Sequence, residues 1–187
     1  MNLELVKKEL ESWIVSYLDI PSKFYNNLKP CPFAKQAWFN NEVNVVLGKE
    51  EEVINQINSW DDSFSLVAII FDDWEKVEEW CKNINKNIYL DDLYLMCFSP
   101  DFEEWEDPQL EEWSETGFEP LCDDIYGWVF LQRLSAVDKY SNILEKQGYY
   151  NNVSDDFWKY ILTRRAYHGK RNKESGNEKE EGKEEGC

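Results

Sequence analysis

Phe64-Ser65-Leu66-Val67-Ala68-Ile69-Ile70-Phe71 decides the fold. Its apolar residues are unbroken and rich in β-branched side chains, and the run is too short for a buried helix. It therefore predicts a strand covered on both faces, as in a parallel sheet flanked by helices.

The neighbouring segments fit that prediction. Upstream, Val43-Asn44-Val45-Val46-Leu47 has strand character and stops at Gly48, and Glu50 to Trp60 carries Val53, Ile54, Ile57 and Trp60 at helical spacing. Downstream, Asp72 or Asp73 is placed to cap a helix whose Val77, Trp80, Cys81, Ile84 and Ile88 share a face. A third strand follows over Asp92–Phe98. Strand, helix, strand, helix, strand predicts an α/β fold with a small, three-stranded, mainly parallel sheet.

Two kinds of helix flank this unit. Leu3, Val6, Leu10, Trp13, Ile14, Tyr17 and Leu18 make one apolar stripe, ended by Pro21. Pro32 suits the first position of a short helix. Ile125 to about Gln147 is expected to be a long, deeply buried helix closed by Gly148. A last helix is expected from Ser154 or Asp155 through Phe157, Tyr160 and Ile161, ending near Arg165. Residues 1–167 then form one α/β domain, and 168–187, devoid of apolar residues apart from the terminal Cys187, form a disordered charged tail.

Composition narrows function. The net charge is −18 and the aromatic content 16%, enough large side chains for a compact core. Ser99–Asp124 holds eleven Asp and Glu and no Lys or Arg, punctuated by Pro100, Pro108, Gly117 and Pro120. A long acidic loop is expected there. Nucleic-acid and anionic-membrane surfaces are disfavoured as partners, because both are bound through Lys and Arg. The N-terminus shows no basic and apolar signal pattern, and the five Cys at 31, 81, 97, 122 and 187 form no CxxC pair. These features lead us to expect a soluble, cytoplasmic protein with free thiols and no cofactor.

The residue most suggestive of chemistry is Cys31. It precedes an expected helix start and is flanked by Lys29 and Lys35, influences that lower a thiol pKa and raise its reactivity. The competing reading is a small apolar residue packed in a Pro-rich turn. The single His, His168, is assigned to the tail, so no base is expected beside the thiol. The acidic segment offers Asp101, Glu103, Glu104, Asp107, Asp123 and Asp124 as oxygen donors. It lacks a Ca²⁺-loop pattern, and no metal site is expected. Phosphate-cradling Gly loops and the GxSxG and His-Glu-x-x-His motifs are also missing.

Cys31-Pro32-Phe33-Ala34 is similar to the loop of glutaredoxins and omega-class glutathione transferases. Here, though, an amphipathic helix precedes it instead of a strand, and no Val-Pro or Ile-Pro follows downstream, which argues against a thioredoxin-like fold. A wider likeness rests on three stretches in order. They are Cys31-Pro32-Phe33-Ala34-Lys35, then Phe98-Ser99-Pro100-Asp101-Phe102, then Tyr126-Gly127-Trp128-Val129-Phe130-Leu131-Gln132-Arg133-Leu134-Ser135. In these the chain resembles the bacterial family catalogued as domain of unknown function 1415, over about residues 1–144. The resemblance implies a shared fold and pocket but no activity. Ser99 stands where that family's pattern expects His, so no role of such a His carries over.

Ligands of parallel α/β sheets gather beyond the carboxyl ends of the strands. This places Ser99, Asp101 and Phe102 at a candidate ligand site with Lys35. Arg133 is an anion clamp there or, in the plainer reading, half of a structural ion pair. Two functions stay open. One is a small-molecule or thiol-dependent site around Cys31 and Arg133. The other is a non-enzymatic acidic module presenting residues 99–124, with Trp105 and Trp113, to a basic protein partner.

Overall fold

The computed structural model describes residues 1–71, 76–98 and 126–181, with side chains as far as 173. Helix α1 (Leu3–Trp13) runs on into one π-helical turn, Ile14–Leu18, and α2 (Ala34–Phe39) leads into β1 (Val43–Gly48). Then come α3 (Glu50–Asn58), β2 (Leu66–Phe71), α4 (Val77–Ile88) and β3 (Leu93–Phe98). The last described elements are β4 (Gly127–Arg133), α5 (Leu134–Lys146) and α6 (Asp155–Glu181).

The fold is α/β, but among the described residues its sheet has four strands in the order β1-β2-β4-β3. β1 and β2 are parallel, while β4 runs antiparallel to both β2 and β3. The three expected strands thus share one direction, and a fourth, reversed strand is wedged between the second and third. Residues 127–133 were expected to open a helix. They are apolar on every side because a central strand is covered on both faces. Val129 and Leu131 face one layer, and Trp128 and Phe130 face the other. A short, continuous apolar run carries no periodicity with which to tell a strand from a buried helix. The short helix also starts later than expected, at Ala34 and not Pro32.

Alternation sorts the core into two layers. On one face Val67, Ile69, Phe71, Leu93, Leu95, Val129 and Leu131 meet Val53 of α3 and Val77, Cys81 and Ile88 of α4. On the other, Val45, Ala68, Ile70 and Trp128 meet Val6, Leu10 and Ile14, so the first amphipathic stripe is buried as predicted. Ile69, Val129 and Leu131 are fully buried, each worth about 1.5–3 kcal/mol in transfer free energy. A third cluster of Phe24, Tyr25, Leu144 and Tyr149 ties the 22–30 loop to the turn between α5 and α6.

Local signals explain the element ends. Gly148 adopts φ 79°, and its N–H donates to the Glu145 carbonyl as the C-terminal cap of α5. At the other end of α5, Asp92 accepts from the Ser135 N–H (2.9 Å) and hydroxyl (2.6 Å), capping the first turn from outside the helix. α6 does not stop near Arg165. His168 lies 3.2 Å from Asp138, and Arg171 reaches the Leu90 carbonyl and Asp92. Order therefore extends beyond the expected domain boundary at 167. Among the described residues no helix is long and apolar enough to cross a membrane.

Candidate functional site

The Cys31 corner is assembled from distant parts of the chain. Its N–H donates to the Leu18 carbonyl (3.3 Å), its carbonyl accepts from Ala34 (3.2 Å), and the Tyr149 hydroxyl donates to the Pro30 carbonyl beside it. The Phe33 ring lies 4.2 Å from that of Tyr140 on α5. Burial pushes the thiol above its ordinary pKa, and the backbone N–H groups of Phe33 and Ala34 offset this only in part. The residue itself is half-buried.

The expected lowering of the thiol pKa is absent: burial dominates and raises it, and the flanking lysines are paired with another residue. Lys29 and Lys35 both donate to the Asp19 carboxylate, Lys35 at 2.8 Å, and hold it below the usual carboxylate range. Lys35 is one half of a loop-pinning pair. A thiol with a raised pKa stays mostly neutral at pH 7 and is a poor nucleophile.

Arg133 lies at the end of β4, not on the long helix. Its register partner on β3 is Leu93, whereas Phe98 pairs with Trp128. The five steps of β3 separate those positions by about 17 Å. Arg133 thus stands at the end of the sheet opposite to the one where the chain leaves β3. Its Nε and Nη2 donate to both oxygens of Asp62 (2.7 and 2.6 Å), Nη1 donates to the Asp91 carbonyl (2.9 Å), and the guanidinium lies over Trp60. Beside it is a cleft of ≈ 180 Å³ lined by Gln56, Ser59, Trp60, Asp61, Asp62 and Ser63. That volume is below the roughly 300–1,000 Å³ of small-molecule pockets. Ser99, Asp101 and Phe102, and the whole acidic segment, lie outside the described residues. No hydrogen bond, ion pair or ring contact among the described residues joins Cys31 or Lys35 to Arg133.

One polar cluster lies where the sequence analysis placed no site. Asp138 on α5 is 1% exposed, and one carboxylate oxygen accepts from Nε of Arg164 on α6 (2.8 Å). His168 Nδ1 approaches the other oxygen at 3.2 Å without completing a hydrogen bond, and Nη2 of Arg164 is buried with no hydrogen-bond partner. Tyr94 on β3 faces the cluster. Burial pushes its hydroxyl up to about 12, while Tyr160 and Arg164 pull it back. A signal existed in the four-residue spacing of Tyr160, Arg164 and His168, which puts all three on one helical face.

The described residues include no group of three or more His, Cys, Asp or Glu side chains placed to hold a metal ion. No protein-family model, curated protein or solved structure matches the chain.

Proposed function

We propose that this protein is a non-catalytic acidic interaction module that docks a basic protein segment through residues 99–124. One observation carries the reading: eleven carboxylates and no cation are concentrated in a single stretch that also holds Trp105 and Trp113. Such a stretch attracts a Lys/Arg-rich partner over a distance set by ionic strength, and the two indoles supply apolar or cation–π contacts. The described residues lend support by subtraction. Arg133 and Lys35 are paired internally and burial raises the Cys31 thiol's pKa, so the small-molecule or thiol-dependent alternative gains nothing from them. Kinship with the domain of unknown function 1415 family remains our proposal, resting on the three motifs.

The test is binding of a synthetic Lys/Arg-rich peptide to the full chain, followed by fluorescence polarisation across a salt series. Neutralising E103Q, E104Q, E111Q and E112Q together should weaken binding about tenfold or more and flatten its salt dependence. The matched set E50Q, E51Q, E78Q and E79Q, on α3 and α4, should leave it nearly unchanged. Equal losses in both sets, or no binding by the unaltered chain, would overturn the proposal.

A further inference from the structure

Cys81 and Cys97 lie outside the Cys31, Arg133 and Asp138 clusters described above. α4 closes over the outer edge of β3, and Asn85 fastens the two. Its Nδ2 donates to the Leu95 carbonyl (2.9 Å), and its Oδ1 accepts from the Leu95 N–H (2.8 Å). A side chain as short as Asn can span both backbone groups only where helix and strand approach closely. It takes the place of a neighbouring strand on an edge that would otherwise expose unpaired groups.

The register then follows from elementary dimensions. α4 and β3 are joined by a tight 3₁₀ turn, Tyr89–Asp91, and so run antiparallel. Cys81 lies one turn before Asn85, about 6 Å along the helix axis. Cys97 lies two residues beyond Leu95, about 6.6 Å along the strand. Starting from the Asn85–Leu95 clamp, the two cysteines arrive opposite each other to within about 1 Å of register. Their side chains share one core cluster, Cys81 buried and Cys97 packed against it with part of its surface open.

We propose that Cys81 and Cys97 are an oxidative modification site, a dithiol that reacts with hydroperoxides and closes to an internal disulfide between α4 and β3. The half-open Cys97 reacts first. Its sulfur attacks one peroxide oxygen, the O–O bond breaks, and water leaves as a sulfenic acid forms. The Cys81 sulfur then attacks that sulfur, the S–O bond breaks, and a second water departs carrying the remaining thiol proton. Two thiols and one hydrogen peroxide give one disulfide and two waters, with two electrons passing from sulfur to peroxide oxygen. The neighbouring Cys81 thiol, together with burial, holds the Cys97 thiol well above its ordinary pKa, so closure is slow at neutral pH and quickens as pH rises and thiolate forms. Because Cys97 directly precedes the last described residue of β3, the bond would anchor the strand from which the acidic segment departs.

The experiment uses the full chain carrying C31S, C122S and C187S, with folding checked by circular dichroism. Hydrogen peroxide should lower its intact mass by about 2 Da, abolish alkylation after denaturation, and raise Tm by roughly 5 °C or more. Adding C81S should stall the reaction at a Cys97 sulfenic acid, trapped by dimedone. If the triple variant does not fold, the same peroxide treatment of the unaltered chain should yield a Cys81–Cys97 cross-linked peptide on proteolysis. Two thiols that remain alkylatable, over-oxidation of Cys97 without a cross-link, or bonding only between chains would each overturn the proposal.

Discussion

Two arginine–aspartate pairs hold this molecule at different depths. Arg133 and Asp62 meet at an exposed end of the sheet, their side chains 32% and 59% exposed, with Arg133 bonding both carboxylate oxygens and a backbone carbonyl. Arg164 and Asp138 meet between α5 and α6, 4% and 1% exposed. There Arg164 Nη2 is left without a hydrogen bond, and His168 crowds the second carboxylate oxygen. The better-bonded pair is the less consequential one. Water can replace the partners of an exposed ion pair, but it cannot reach an ion buried between helices.

The largest expected effect is therefore at Arg164. Replacing it in R164M strands the Asp138 charge in the interior and should cost about 3–5 kcal/mol of stability in urea denaturation. R133Q should cost only a small fraction of that. Equal losses from the two would break the comparison, because burial would then not be what separates the pairs. N85A comes next. It leaves the Leu95 N–H and carbonyl unpaired beneath α4, and should cost about 2–4 kcal/mol on the same measurement. A loss below 1 kcal/mol would show that water reaches that strand edge, and would weaken the close approach on which the Cys81–Cys97 register depends.

The two arginines also show what the sequence made legible. β1, β2 and β3 were readable because each is a short apolar run bounded by turn residues and alternating with helical spacing. β4 was not, because a strand buried on both faces has no polar side to display its period. Arg133 was misplaced with it. Once its strand is reversed, the residue moves to the far end of the sheet, away from the end of β3. Arg164 and His168 were overlooked for another reason. Past Tyr167 the sequence offers no further apolar residue to bury, so the helix was expected to end. What holds it is a polar stripe whose partners, Asp138 on α5 and Asp92 beside β3, come from elsewhere in the chain. The Cys31 corner failed similarly. Its lysines are near in sequence, but Asp19 claims them, and the tyrosines that enclose the loop lie more than a hundred residues away.

Cys31 gives the third prediction. Its alkylation by iodoacetamide at pH 7.5 should be about tenfold or more slower than that of a free thiol, and should recover on unfolding. Y149F removes the hydroxyl that holds the Pro30 carbonyl and should speed the reaction, whereas K29M and K35M together should not slow it. A slower rate in the lysine variant would mean that the lysines do act on the thiol, restoring the activated cysteine that the Asp19 pairing argues against.

The smallest effect tests the exposed pair through pH. Arg133, aided by the Trp60 N–H, holds the Asp62 carboxyl down to about 2, below the roughly 3.9 of an unfolded-chain Asp. A depressed folded-state pKa contributes stability that is fully present above the unfolded value and is lost as pH falls through the folded one. The difference in urea midpoint between the unaltered chain and D62N should accordingly be constant from pH 7 down to about 4 and fade between 4 and 2. Because both side chains meet solvent, it should also shrink in high salt. If D62N lowers the midpoint equally at pH 2 and pH 6, the carboxylate charge is not what secures Arg133. The clamp would then rest on the Asp91 carbonyl and the Trp60 ring, contacts that neither acid nor salt removes.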